Sequence, residues 1–155
     1  MDRRGGERDA RRPRSRTRLA RSIAQVDVAE ATGREFVDAL AQRDWARLEA
    51  CLAPDIRFRA VIPNEARPFR DKTDAPGAVD QLRKWFGDAD PLVLVESDVR
   101  LIADRLLIRY RFTGHEDDGD FVVEQNGFAE TKKGKLVSLR LVCSGFLAPV
   151  SESAS

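Results

Sequence analysis

Cysteine and histidine are nearly absent from this chain of 155 residues, which holds two cysteines, Cys51 and Cys143, and one histidine, His115. The cysteines lie far apart with no CxxC spacing, so neither structural zinc nor a disulfide framework is expected. No metal and no cofactor is expected. No apolar run approaches the roughly 20 residues of a membrane span, and the N-terminus lacks the apolar stretch of about 7–15 residues found in secretory signals. The expectation is a cytoplasmic protein that does not engage membranes. The length suits one domain. Hydrophobic residues, at 42%, suffice for a core, but charged residues reach 34%, so part of the chain is expected to stay outside the fold.

The charge is unevenly placed. Residues 1–22 hold nine Arg and three acids, a net +6, which leaves −5 on residues 23–155. With Gly5, Gly6 and Pro13 and no periodic apolar pattern, this segment buries too little to offset its ordering entropy. A disordered Arg-rich tail is therefore expected over residues 1–30. Such an arm can attract nucleic acid, yet acids interrupt the arginines. A solvated tail, or a start codon placed too far upstream, is the simpler reading, and no nucleic-acid partner is expected. Residues 149–155 are read as a second disordered tail, leaving one domain over residues 31–148.

Within that domain, Phe36, Val37, Leu40, Trp45, Leu48, Cys51 and Leu52 recur at helical spacing, which predicts two short helices joined near Arg43-Asp44. Pro54 and Asp55 close that region. Residues 56–61 then alternate apolar and charged, the period of a half-buried strand. Asn64 to Lys72 reads as a loop or short hairpin. Asp74, an N-cap followed by Pro76, opens a helix with Val79, Leu82, Trp85 and Phe86 on one face, ended by Gly87-Asp88. Four β segments follow, about residues 92–102, 105–113, 121–131 and 135–146, separated by Ala103-Asp104, His115 to Asp120 and Lys132-Lys133-Gly134. Their turns imply successive antiparallel pairings. Helices first and a long meander last predict an α+β domain whose strongly curved sheet wraps its helices and encloses a pocket.

This order, with the phrase running from Phe36 through Arg43-Asp44-Trp45 to Pro54-Asp55-Ile56-Arg57-Phe58, resembles the nuclear transport factor 2-like superfamily, which includes ketosteroid isomerases and SnoaL-like cyclases. The closing phrase Gly134 to Leu141 is similar to the last isomerase strand. The resemblance implies a conical barrel, α+β, with three N-terminal helices packed in the concave face of a curved, mainly antiparallel sheet. It also implies an apolar cavity and pairing of two copies through the outer face of the sheet. Such folds host both enzymes and inert binding modules. At the positions matching the isomerase tyrosine donor, base and protonated aspartate, this chain has Phe36, Ala60 and Asn126. Phe36 donates nothing and Ala60 takes no proton, so standard ketosteroid isomerase chemistry is excluded there.

Strand alternation suggests the rest of the lining: if Asn126 points inward, so do Val122, Glu124 and Phe128. Ligand contacts are then expected from Phe36, Phe58, Trp85, Phe86, Tyr110, Phe112, Asn126, Leu139, Leu141 and Cys143, each of which ordinary core packing also explains. Glu124, buried among apolar neighbours, would be a general acid or base with a raised pKa. A register shifted by one residue sends Glu124 outward and brings Gln125 inward. His115, in the acidic turn, is a second candidate base at the pocket mouth, or simply solvated. Three readings compete, in this order: a domain binding a small apolar molecule; an isomerase, cyclase or lyase using a buried carboxylate; and a dimeric interaction module. A homodimer is expected through Val142, with Val122, Leu107, Arg109 and Arg140 around it. An open cavity on the order of a few hundred Å³ favours a ligand, and an interior filled by side chains favours a protein partner.

Overall fold

The computed structural model describes residues 13–150, with side chains from residue 23 onward. Helix α1 (Pro13–Ala41) opens on a proline, whose fixed φ suits the first helical turn. Its inward face carries Ala29, Phe36, Val37 and Leu40, all buried. The chain leaves α1 through Arg43, at φ 53. Asp44 then caps α2 (Trp45–Ala50), accepting from the Arg47 N–H at 3.2 Å. Arg47 reaches back to Glu35 at 2.8 Å and Asp38 at 2.9 Å, which fixes α2 against α1. Helix α3 (Ala75–Phe86) is capped by Asp74, which accepts from the Gly77 N–H at 2.7 Å, and it buries Val79, Leu82 and Phe86.

The strands are β1 (Leu52–Val61), β2 (Phe69–Lys72), β3 (Leu92–Ile102), β4 (Arg105–Glu116), β5 (Gly119–Lys132) and β6 (Lys135–Cys143). They form one six-stranded mixed sheet in the order β2-β1-β6-β5-β4-β3. Only the β1–β6 pairing is parallel, because α3 and the β3–β5 meander intervene between those two strands. Bulges at Leu94/Glu96 and Glu130/Thr131 add curvature. The tight turn from β5 to β6 places Lys133 at φ 52 and Gly134 at φ 73, the twist a two-residue hairpin prefers. The curved sheet packs around α1, which lies on β3, β4 and β6, and around α3, which lies on β1 and β2. The result is an open cone, not a closed barrel.

Three expectations are corrected. The first helix begins at Pro13, not near residue 31, and Ala29 is already buried. Arginine is a good helix former, and a helix anchored at one end propagates without apolar residues in every turn. Residues 1–12 and 151–155 of the expected tails lie outside the described residues. Pro54 and Asp55 do not precede the first strand; they lie within β1, where its pairing with β6 is irregular. Finally, β5 turns Phe121, Val123, Gln125, Gly127 and Ala129 inward, so Val122, Glu124, Asn126 and Phe128 face out, opposite to the alternation anchored on Asn126. The crowded concave side accepts small residues there. A Cβ on Gly127 would sit 2.5 Å from Leu141 Cδ2 and 2.7 Å from the Arg140 carbonyl.

That contact generates a test. Gly127→Ala should cost about 1–3 kcal/mol of stability through overpacking. Urea denaturation should show a lower midpoint with an unchanged slope.

Candidate functional site

Three concave-face side chains form a row across the middle of the sheet. Tyr110 on β4 is directly opposite Gln125 on β5, which is opposite Cys143 on β6. All three are buried, Gln125 at 0% exposure. Burial, with Cys143 close by, holds the Tyr110 phenol well above its ordinary pKa, so it stays protonated. It donates to Gln125 Oε1 at 2.5 Å. The other end of that amide, Nε2, is buried and has no hydrogen-bond partner.

Aromatic rings surround this row. Phe36 from α1 lies 6.3 Å from Tyr110, centroid to centroid, and Phe112 lies 5.5 Å from it. Phe86 from α3 continues the chain of rings at 5.2 Å from Phe112. Phe58, Leu139 and Leu141 complete the apolar wall. At the open end, the segment after β6 stays on β5: the Ser144 N–H donates to the Glu124 carbonyl at 2.8 Å. Leu147 exchanges both backbone hydrogen bonds with Val122. Gly145, at φ 84, lets the chain turn there. Phe146 thereby packs at a tilt against Phe86 at 5.7 Å and edge-on against Phe121 at 5.1 Å, and is still 36% exposed.

The structure thus brings together Phe36, Phe58, Phe86, Tyr110, Phe112, Leu139, Leu141 and Cys143. Trp85 is half-buried at the margin of the core. Asn126 and Glu124 are not in the interior. Glu124 sits on the convex face, 3.0 Å from Arg111 Nη2 and accepting from Asn126 Nδ2 at 3.1 Å. The Asn126 hydrogen bond and Arg111 together hold its carboxyl below the ordinary 4.5, the reverse of a buried general acid. The register leaves no room for the inward reading, since its two immediate neighbours, Val123 and Gln125, occupy the concave side. His115 is exposed near the end of β4, bonded through Nδ1 to Asp120 at 2.8 Å. Phe36 and Ala60 do face the interior, where neither transfers a proton. Both cysteines are free and buried, and burial pushes the Cys51 thiol up to about 11.

Gln125 was reachable from sequence only as the alternative register. Phe128 and Val122 are bulkier and more apolar than Gly127, so the hydrophobic pattern of β5 points to the wrong face. Besides Tyr110 and the thiols, the buried polar side chains among the described residues are Thr32, Gln81, Gln125 and Ser138. None is a carboxylate or imidazole. No group of three His, Cys, Asp or Glu among the described residues is placed to hold a metal ion, and no described helix is long and apolar enough to cross a membrane. Hollows of about 750 and 410 Å³ lie against α1, beside the β3–β4 and β5–β6 turns and beside β3. The aromatic interior itself is filled by side chains.

A family model for the SnoaL-like domain matches residues 33–139, more than half of the chain. The fold is that of the nuclear transport factor 2-like superfamily, and the chain belongs to the SnoaL-like domain family. Solved structures agree on the fold. An epoxide hydrolase from M. tuberculosis is 15% identical, with TM-score 0.57, covering 77% of this chain and 84% of its own. A candidate polyketide cyclase from Streptomyces antibioticus is 15% identical, with TM-score 0.61, covering 74% and 90%. A nuclear transport factor 2-like protein from Burkholderia xenovorans is 19% identical, with TM-score 0.57, covering 76% and 90%. No curated protein matches.

The Glu124 environment sets a pH dependence. Its folded pKa is depressed, so its stabilising contribution is present above the ordinary 4.5 and is lost as pH falls through the lower folded value. Glu124→Gln should therefore be less stable than wild type at neutral pH. The gap should narrow below about pH 4.5 in denaturation series run at successive pH values.

Proposed function

We propose that this domain binds a small, largely apolar molecule within its cone. The observation that carries this reading is the Tyr110–Gln125 pair, a polar anchor placed at the centre of an aromatic interior. An apolar core gains nothing from such a pair, because burying polar groups costs free energy unless every donor is met. A wall of aromatic side chains around a few convergent polar groups is the usual make-up of a small-ligand site. Similar folds described as an epoxide hydrolase and a candidate polyketide cyclase support a small organic ligand. The interior is filled by side chains in this structure, so a ligand would enter by displacing them, first Phe146, whose ring packs on Phe86 and Phe121.

Binding is favoured over catalysis because the described interior offers no carboxylate or imidazole to move a proton. Native mass spectrometry against apolar ketones, polyketides and steroids should show a one-to-one adduct, with a matching rise in melting temperature. The same protein should not isomerise a β,γ-unsaturated ketosteroid above background, read by absorbance of the conjugated product. Absence of any adduct across the panel would remove the binding reading.

A second reading concerns assembly. The interior is filled, and the convex face exposes Val142 (53%) and Phe128 (51%) beside the half-buried Val122 and Leu107. Arg109 and Arg140 lie among them. This face fits pairing with a second copy in a homodimer. Sedimentation at tens of micromolar should give a dimer, and Val142→Asp should shift it to monomer while preserving the circular dichroism of the fold.

A further inference from the structure

We propose that the hollow beside the β5–β6 turn is a binding site for a compact polyanion of the diphosphate class, separate from the aromatic interior. Its volume is about 590 Å³, and four cations line it: Arg57 from β1, Lys132 from the end of β5, Lys133 from the turn and Lys135 from the start of β6. Asp55 is the single acid in that lining, which leaves a net charge of +3. The backbone makes the room. Between Leu52, opposite Leu136, and Arg57, opposite Ser138, β1 takes five residue steps against two on β6, so β1 arches away from its parallel partner. Arg57 and Lys135 are exposed and alternate with the buried Ile56, Phe58 and Leu136, which turns them to the outer side of the sheet beside that arch.

The protein does not balance this charge. Arg47, Arg59, Arg70, Arg105, Arg109 and Arg111 each reach a carboxylate. None of the four cations of the hollow is in an ion pair among the described residues, and Lys135 Nζ donates to the Ala50 carbonyl at 2.8 Å. Lys132 is directly opposite Lys135 in the ladder, where like charges destabilise a hairpin. Lys133 holds φ 52, at a position where a two-residue turn ordinarily takes Asn or Gly. Three lysines set in one turn against its own stability call for a counter-charge from outside the chain. A single negative charge would leave most of them unmet, which selects an anion with at least two. The surroundings select a small one. Residues 23–155 carry a net −5, Glu49 adjoins the carbonyl that Lys135 holds, and Asp104 lines the neighbouring hollow with Lys132 and Lys133. A polynucleotide would have to cross these acids, whereas a diphosphate meets only the cations.

Inorganic pyrophosphate is the probe, titrated into the full chain by calorimetry at about 0.15 M ionic strength, where diffuse attraction between exposed charges is largely screened. One pyrophosphate should bind per chain, and the largest amide shifts in nitrogen-15 spectra should fall at Arg57 and residues 132–135. Lys132→Gln/Lys133→Gln should weaken binding about tenfold or more, ~1.4 kcal/mol, and melt at or above the wild-type temperature because the opposed lysines no longer repel. Lys84→Gln/Arg100→Gln removes two cations elsewhere and should bind as wild type does. Adenosine diphosphate, titrated in parallel, names the source: tighter binding than pyrophosphate with the same shifts supports the site as one for a nucleotide, and weaker binding supports it as one for the free anion. Absence of saturable pyrophosphate binding, shifts spread over other basic residues, or equal losses in the two double variants would overturn the site. A short oligothymidylate that binds more tightly than pyrophosphate would overturn the compact anion in favour of nucleic acid.

Discussion

The register of β5 between β4 and β6 is the constraint on which the rest of the molecule depends. It sets Gly127 against Leu141 and the Arg140 backbone, where no larger residue fits. The same setting places Tyr110, Gln125 and Cys143 in one line across the concave face. A slip of one residue would drive Glu124 and Asn126 among phenylalanines and take Glu124 away from Arg111. Stranding a carboxylate there would cost on the order of several kcal/mol, so the alternative register is not a competitor.

From that constraint follows a separation of charge between the two faces. Outside, Glu96, Arg109, Arg111 and Glu124 form a cross-strand ladder of opposite charges, with Arg109 also bonded to Glu96. Pairs this exposed contribute little each, and their value lies in fixing which residues face outward. Inside, the Tyr110–Gln125 pair is neutral. Among the described residues, the ionised groups of this ladder lie on the convex face.

Curvature and closure are linked in the same way. The bulges in β3 and β5 bend the sheet over α1, while Arg43, bonded to the Ala89 carbonyl, ties the α1–α2 joint to the chain following α3. The open end is then covered by a segment that continues the β5 ladder past Cys143. Its bend at Gly145 turns Phe146 inward instead of out. The segment that carries Phe146 is thus held by backbone bonds to β5, the strand that also carries Gln125 and Glu124.

Much of this was legible in the sequence. The N-cap at Asp74, the joint at Arg43-Asp44, the alternation of Ile56, Phe58 and Ala60 and the turn at Lys133-Gly134 are local signals, and each is expressed in the fold. The helical spacing of Phe36, Val37 and Leu40 marked residues that are buried in the core. What the sequence could not determine was the direction of β5, because Val122, Phe128 and Gly127 give a pattern whose stronger apolar members face outward. Only packing against Leu141 and Arg140 distinguishes the two faces, and that contact joins strands through a curved surface no local period records. The start of α1 at Pro13 was hidden for a related reason: composition reports what a segment can bury alone, whereas a helix docked at its far end needs no core of its own. The sequence by itself determined the family, the order of most elements and much of the buried aromatic core. Tertiary structure decided that Gln125, and not Glu124 or Asn126, stands inside it.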